Sequence, residues 1–228
     1  MMFGADGLLY VCRNREGKFV TYQPDGVRAD LYIDKTYPVI GKPNAEPEFC
    51  NDIVVTSRGD IYYTDRANRQ VLILRPGQEP TVVASGYRPN GIALSTDETR
   101  LYTTDSIDHR LWAFAIKPDG SLNVIEDFFE PVYRTTSFGA NFRTKGGPGT
   151  NGMAVDDDDR VYVTSFVGII VYGSSGKIEG VIPWPEGFVS NLTFGGPDFD
   201  TLYLTGVNKV YKRKMNVTST PGRFQSGQ

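Results

Sequence analysis

The hydrophobic and polar positions of this chain alternate in short runs that are typical of β-strands. Runs of four or five β-branched, aliphatic or aromatic residues occur at 60–64, 71–74 and 81–84, and polar turns at 57–59 and 76–78 separate them. No segment has the 3.6-residue period of an amphipathic helix. The pattern therefore predicts an all-β chain.

One longer pattern recurs: an Asn, a few apolar residues, a turn, and then an apolar residue followed by Tyr. Four segments carry it, and a fifth, partial copy opens the chain at residues 3–10. The tyrosines that mark the register are Tyr10, Tyr62, Tyr102, Tyr162 and Tyr203. Their spacings of 52, 40, 60 and 41 residues indicate a unit of about 40 residues, the size of a four-stranded propeller blade, with two insertions.

We therefore expect a β-propeller over residues 1–217 and a polar tail at 218–228 that frays. The blades are predicted at about residues 1–33, 51–85, 90–128, 151–183 and 190–215. The insertions at 34–48 and 130–149 each lead into the opening Asn of a repeat. Because the first copy begins inside its pattern and closure needs complete blades, the expected form is a six-bladed propeller, N-terminally truncated, with about five repeats present.

The composition of the chain excludes several classes of protein. The 228 residues include 24 Lys and Arg against 27 Asp and Glu, a net charge of −3, so no basic surface for nucleic acid is indicated. Apolar residues make up 39% of the chain, which excludes disorder for most of it. No apolar run approaches a membrane span of about 20 residues. The start of the chain lacks the pattern of a signal peptide, which by itself favours a cytoplasmic location and leaves the location open.

The counts of His and Cys limit the chemistry further. A single histidine, His109, excludes a zinc site built on several histidines, and no G-x-S-x-G motif is present. Cys12 and Cys50 could pair as a disulfide or remain two half-buried thiols. Without a secretion signal, free thiols are the favoured expectation.

The recurring asparagines are the candidate chemistry. If Asn51, Asn90 and Asn151 each open the inner strand of a blade, their side chains converge at one mouth of the central channel. Amide groups suit a hard cation such as Ca²⁺ or the hydroxyls of a sugar-like ligand. The alternative is that the Asn-Gly pairs at 90–91 and 151–152 form turns only. Asn191, which precedes a Leu, is the expected exception to the ring.

Acidic residues near the repeats are interpreted as loop and turn residues instead of metal ligands. The run at 156–159 falls between two predicted strands and is interpreted as a solvated hairpin loop rather than a Ca²⁺ loop. Asp65 and Asp105 each follow a register tyrosine by three residues, so they occupy matching places in neighbouring repeats. They could add charge at the axis, but bonds to turn backbone are the favoured interpretation.

Four segments of this chain resemble the gluconolactonase/regucalcin (senescence-marker-protein) family in sequence, order and spacing. They are FCNDIVV at 49–55, RPNGIAL at 88–94, GTNGMAVD at 149–156 and NLTFGGP at 191–197. The resemblance covers nearly the whole chain. It implies a six-bladed propeller of metal-dependent lactonases, a class of carboxylic ester hydrolases, with one divalent cation, Ca²⁺ or Zn²⁺, on the central axis.

The resemblance also assigns roles. Asn51 matches a substrate-contacting Asn, and Asn90 matches a metal-ligating Asn. The adjacent Asp52, which the resemblance does not assign, is a further candidate for substrate binding and could add charge at the axis. Asn151 falls where the family has an Asp that ligates the metal and acts as general base. The family's remaining ligand, a Glu in an E-G-P-like motif of the first blade, has no counterpart here. Phe49 stands where some members have a substrate-binding Arg. We therefore expect a divalent cation to bind weakly or not at all, because affinity follows ligand charge.

Three functions follow as hypotheses. The first is metal-dependent hydrolysis of a sugar lactone. The second is a non-catalytic propeller that binds a small sugar-like ligand, and the third is an inactive, truncated family member. The expected partner is a small-molecule sugar lactone, without nucleic acid or membrane, and exposed sheet edges could allow a dimer.

Overall fold

The computed structural model describes residues 1–33, 50–108, 110–130, 150–183, 189–206 and 208–219. These residues form five antiparallel sheets arranged as a five-bladed propeller. Their only helical element is a single 3₁₀ turn at Asn14–Glu16. The all-β prediction is confirmed, whereas the six-bladed form and the edge-mediated dimer remain predictions.

Each sheet is built from strands that follow one another in the chain. Sheet 1 contains β1 (Met2–Phe3), β2 (Leu9–Arg13), β3 (Lys18–Tyr22) and β4 (Arg28–Ile33). Sheet 2 contains β5 (Ile53–Val55), β6 (Ile61–Asp65), β7 (Gln70–Leu74) and β8 (Thr81–Ser85). Sheet 3 contains β9 (Pro89–Leu94), β10 (Arg100–Asp105), β11 (Leu111–Ile116) and β12 (Leu122–Ile125).

The last two sheets repeat this order. Sheet 4 contains β13 (Met153–Val155), β14 (Val161–Ser165), β15 (Gly168–Tyr172) and β16 (Ile178–Ile182). Sheet 5 contains β17 (Val189–Gly195), β18 (Thr201–Gly206) and β19 (Val210–Lys214) among the described residues. The first strands of consecutive sheets contact one another, which places β5, β9, β13 and β17 around the central axis.

The register tyrosines occupy the same place in every sheet, on the second strand. Tyr62 pairs with Val54 and Tyr102 with Ala93, and the other three have equivalent partners on their first strands. Four of the five are buried and pack against the following sheet. The hydrophobic core therefore lies between sheets, and each large side chain buried there contributes about 1.5–3 kcal/mol.

The two cysteines contradict the favoured expectation of free thiols. Cys12 on β2 and Cys50, just before β5, form a disulfide with their Cα atoms 6.1 Å apart. The physical reason is the contact between sheets 1 and 2, which brings together residues 38 positions apart in the chain. That proximity could not be deduced from their spacing.

The acidic run and the tail also differ in part from expectation. The run at 156–159 does form the turn between β13 and β14, but Asp156 is fully buried rather than solvated. Arg160 Nε and Tyr162 Oη donate to its Oδ2 atom at 2.7 and 3.0 Å, which compensates the burial of the charge. Burial next to this carboxylate raises the pKa of Tyr162 to about 12.

The start of the tail is anchored, not frayed. Thr218 Oγ1 donates to Asp157 Oδ2 at 2.6 Å, and the Ser219 N–H donates to the Phe199 carbonyl at 3.0 Å. The rest of the tail, His109, all of the first predicted insertion, and all of the second except Glu130 lie outside the described residues. In the part of the chain that is described, no helix is long and apolar enough to cross a membrane.

Candidate axial site

The recurring asparagines lie at the mouth-side ends of the axial strands. Asn51 and Asn151 come two residues before β5 and β13, while Asn90 and Asn191 lie within β9 and β17. Asn90 is buried, Asn151 is half-buried, and the other two are exposed. The fold therefore brings these four residues to adjacent strands around one channel.

A threonine ladder that the sequence analysis missed holds the backbone of this ring. Thr64 Oγ1 donates to the Asn90 carbonyl at 2.6 Å, and Thr104 Oγ1 donates to the Asn151 carbonyl at 2.9 Å. Both bonds join one sheet to the next. In sheets 4 and 5, Thr164 and Thr205 donate instead to carbonyl groups of their own sheet, those of Gly152 and Asn191. All four threonines follow a register tyrosine by two residues, a recurrence that could have revealed them.

The Asn-Gly pairs are not turns. Gly91 lies within β9, and neither Gly91 nor Gly152 has the left-handed φ that a type I′ turn requires. Each glycine instead permits a close approach between sheets. A Cβ atom on Gly91 would collide with the Asn151 carbonyl oxygen, and one on Gly152 would collide with the Asn191 side chain. The turn interpretation of these pairs is therefore wrong.

Asn191 belongs to the site, contrary to expectation. Its Oδ1 atom accepts a hydrogen bond from the Leu192 N–H at 2.8 Å, which fixes the orientation of the amide. The amide group also lies near the Asp52 carboxyl and lowers its pKa. The Leu that follows Asn191 hid this role, because the sequence analysis relied on the Asn-Gly pair as its signal.

Asp52 is a carboxylate placed between three sheets. It accepts a hydrogen bond from the Ile53 N–H at 3.0 Å, and the Ile92 N–H of sheet 3 and the Asn191 amide of sheet 5 lie near enough to lower its pKa. Burial raises the pKa of this carboxyl, although the positive charge of the amino terminus and the nearby Ile53, Ile92 and Asn191 groups oppose the shift. The residue is half-buried.

Asp65 and Asp105 accept hydrogen bonds from the turns that follow them, which is the interpretation that the sequence favoured. Asp65 accepts from the N–H and the side-chain amide of Asn68 at 2.8 and 2.7 Å. Asp105 Oδ1 accepts from the N–H groups of Ile107 and Asp108 at 2.8 and 3.4 Å. They cap the loops after β6 and β10.

The arrangement combines neutral amides with one carboxylate. Among the described residues, no group of three or more His, Cys, Asp or Glu side chains could hold a metal ion. The groups available at the axis are oxygen acceptors and N–H donors, together with Asp52 as a proton acceptor. Such a set can orient a polar ligand and accept a proton from it.

Sequence comparison supports this assignment of the fold. Residues 34–208 match the family model for the SMP-30/Gluconolactonase/LRE-like region. The pentonolactonase XacC of Haloferax volcanii is 25% identical over 199 residues, which cover 84% of this chain and 64% of that protein. A gluconolactonase of Zymomonas mobilis is 24% identical over 234 residues, covering 93% of this chain and 61% of that protein. The chain thus spans somewhat less than two thirds of the length of these relatives.

Solved structures of similar proteins share this fold. A gluconolactonase from Xanthomonas campestris superposes with a TM-score of 0.70 at 25% identity, over 92% of this chain and 69% of that one. A calcium-binding protein, regucalcin, from Agrobacterium tumefaciens shares the fold with a TM-score of 0.65 at 16% identity, over 93% of this chain and 76% of that one. With a family match over most of its length, the chain belongs to the SMP-30/gluconolactonase/LRE-like family.

Proposed function

We propose that this chain hydrolyses a sugar lactone at the axial site, with Asp52 as the general base. The observation that carries the proposal is the position of Asp52, whose carboxyl accepts a hydrogen bond within sheet 2 and lies near Ile92 of sheet 3 and Asn191 of sheet 5. The gluconolactonase and pentonolactonase relatives support the substrate class.

Each residue of the site has a separate role in the proposed reaction. The Asp52 carboxylate takes a proton from a water molecule as the water oxygen attacks the lactone carbonyl carbon. The ring C–O bond then breaks, and the protonated Asp52 returns the proton to the leaving ring oxygen, which gives a hydroxy acid. The exposed amide of Asn51 hydrogen-bonds substrate hydroxyls and orients the ring. Asn151 cannot act as a base, because an amide does not take up a proton near neutral pH.

The donor set fits a hard cation better than Zn²⁺. The side-chain oxygens of Asn90 and Asn151 would hold it, and oxygen ligands suit Ca²⁺, whereas Zn²⁺ is more often bound by nitrogen and sulfur. When bound, such a cation would polarise the lactone carbonyl. Because both amides are neutral, we expect weak affinity in this chain.

Lactone hydrolysis can be tested directly. Proton release from glucono-δ-lactone and from a pentonolactone is measured with the purified chain, with and without added Ca²⁺, against a buffer blank. We expect turnover above the blank and a loss of about 10²–10⁴-fold in Asp52→Asn. The matched control is Asp30→Asn, which removes the same charge from exposed strand β4 and should leave the rate unchanged. Turnover equal to the blank would contradict the hydrolase, and an active Asp52→Asn would contradict the base assignment.

A second candidate is a non-catalytic propeller that binds a sugar-like ligand. It is favoured by Asn151, which stands where the family's base is expected. In that case gluconate, the hydrolysis product, binds in a calorimetric titration while no lactone is consumed. Loss of gluconate binding in Asn51→Ala would locate the ligand at the axis.

A further inference from the structure

The Cys12–Cys50 disulfide lies beside the axial site but has no role in the proposed chemistry. Cys50 is buried, at 2% exposure, and directly precedes Asn51 and Asp52 in the chain. Cys12 lies on the second strand of sheet 1 and is half-buried. The bond therefore ties sheet 1 to the segment that carries two of the site residues.

The surroundings of both sulfur atoms suit a reduced state as well. Cys12 Sγ lies 3.1 Å from the Cys50 carbonyl oxygen, and Cys50 Sγ lies 4.0 Å from the Asp52 carbonyl oxygen. A thiol is a weak hydrogen-bond donor, so each S–H group formed by reduction has an acceptor in place. The second acceptor belongs to a site residue and already accepts from the Thr64 N–H at 3.0 Å.

We propose that Cys12–Cys50 is a thiol–disulfide switch that sets the position of the Asn51–Asp52 segment. A dithiol reductant attacks the half-buried Cys12 sulfur, the S–S bond breaks, and a mixed disulfide forms. The second thiol of the reductant then releases Cys12, so the cysteine pair gains two electrons and two protons and the reductant leaves as its disulfide. Two unbonded sulfur atoms need more room than two bonded ones, so Cys50 moves away from sheet 1.

The effect is local because other contacts keep sheets 1 and 2 together. Phe19 of sheet 1 packs edge-on against Tyr63 of sheet 2, with ring centroids 4.9 Å apart. The Cys50 N–H also donates to Asn14 Oδ1 at 3.3 Å, independently of the sulfur. Reduction therefore loosens the entry to β5 without separating the sheets.

The first test counts thiols and follows amide hydrogen exchange by mass spectrometry. We expect the oxidised chain to show no titratable thiol, and reduction to raise exchange across residues 51–55 by roughly tenfold. A peptide covering β15, in sheet 4, serves as the internal control and should not change. Two free thiols under oxidising conditions, or unchanged exchange at 51–55 after reduction, would overturn the proposal.

Variants separate the switch from general effects of the reductant. Cys12→Ser/Cys50→Ser should show the high exchange of the reduced chain and no further response to reductant. If that variant fails to fold by circular dichroism, Cys12→Ser alone replaces it. A variant that keeps the low exchange of the oxidised chain would also contradict the proposal.

The catalytic consequence rests on the proposed lactonase function. We expect reduction to lower kcat/KM for glucono-δ-lactone by about fivefold or more, since small displacements of positioned groups are costly. An active chain whose kcat/KM is the same in both redox states would overturn the link to the site. A chain that is inactive in both states would contradict the lactonase alone, because the exchange experiment decides the switch without any turnover.

Discussion

The charged form of Asp52 serves the proposed reaction but lowers the stability of the folded chain. Burial raises its pKa above the ordinary value of 3.8, so the charged form is disfavoured in the folded chain. The folded state then binds more protons than the unfolded state between the two pKa values, and stability falls as pH rises through that window. At pH values above the raised pKa, the charged carboxylate lowers the free energy of unfolding by its full amount.

Asp52→Asn should therefore stabilise the chain while it removes the proposed base. We expect Tm at neutral pH to rise by roughly 2 °C or more, and the gain to vanish below the ordinary pKa of Asp, where both forms are neutral. Thermal melts across pH measure this. Asp30→Asn is the contrasting control, because Arg28 and Lys18 lower the pKa of Asp30 and its removal should bring no gain. A lower Tm for Asp52→Asn at neutral pH would refute the argument.

Residue identities were predictable where a pattern recurred. Asn51, Asn90 and Asn151 were found because the same motif repeats, and the structure places all three on adjacent axial strands. The place of Asn191 was not predictable, because it depends on contacts with Gly152 and Asp52 across sheets. The proton environment of Asp52 likewise depends on groups far away in the chain.

At the scale of elements, the close approach of β9 to the start of sheet 4 depends on a glycine. Gly91→Ala places a methyl group against the Asn151 carbonyl oxygen, so the strands must separate. We expect a loss of about 1–3 kcal/mol in the free energy of unfolding, measured by urea denaturation. Gly180→Ala on β16 is the matched control, because nothing lies within 4 Å of its added Cβ. Equal free energies of unfolding for the two variants would show that β9 and the start of sheet 4 are not closely packed.

The threonine ladder gives a second prediction about elements. Thr104 Oγ1 donates to the Asn151 carbonyl and accepts from the Gly91 N–H at 2.8 Å, so Thr104→Val leaves one buried and one half-buried backbone group without that partner. We expect a cost of about 1–3 kcal/mol, with Thr104→Ser recovering most of it. Thr81→Val on exposed β8 should cost little. If Thr104→Val unfolds at the same urea concentration as the wild type, the ladder does not brace the ring.

The strands themselves were predictable because alternation and β-branched residues specify them locally. The turn at 156–159 was also placed correctly, but not the burial of Asp156. That burial requires Arg160 and Tyr162 to converge on one carboxylate, which is a matter of strand register and not of local composition.

For the whole molecule, the repeat predicted the propeller because equivalent positions must be packed equivalently. Four of the five register tyrosines repeat the same contact with the next sheet, so a spacing near 40 residues is enough to indicate the ring. The Cys12–Cys50 bond was not predictable in this way. It joins two unlike positions of neighbouring repeats, and only the packing of sheet 1 on sheet 2 brings them together.

If the asparagine ring holds a cation, as proposed, binding of that cation depends on the whole fold. Asn90 and Asn151 come from different sheets, so an ion held by both would tie those sheets together and raise Tm by mass action. Asn151→Asp adds the negative charge that the amide lacks, and affinity for Ca²⁺ follows ligand charge. In thermal melts with Ca²⁺, we expect a stabilisation of about 2.7 kcal/mol for Asn151→Asp once the ion reaches 100 times its Kd, with much less in the wild type at the same concentration. Asn123→Asp adds the same charge on exposed β12 and should respond like the wild type, so an equal Ca²⁺ response in both variants would mean that the axis holds no ion.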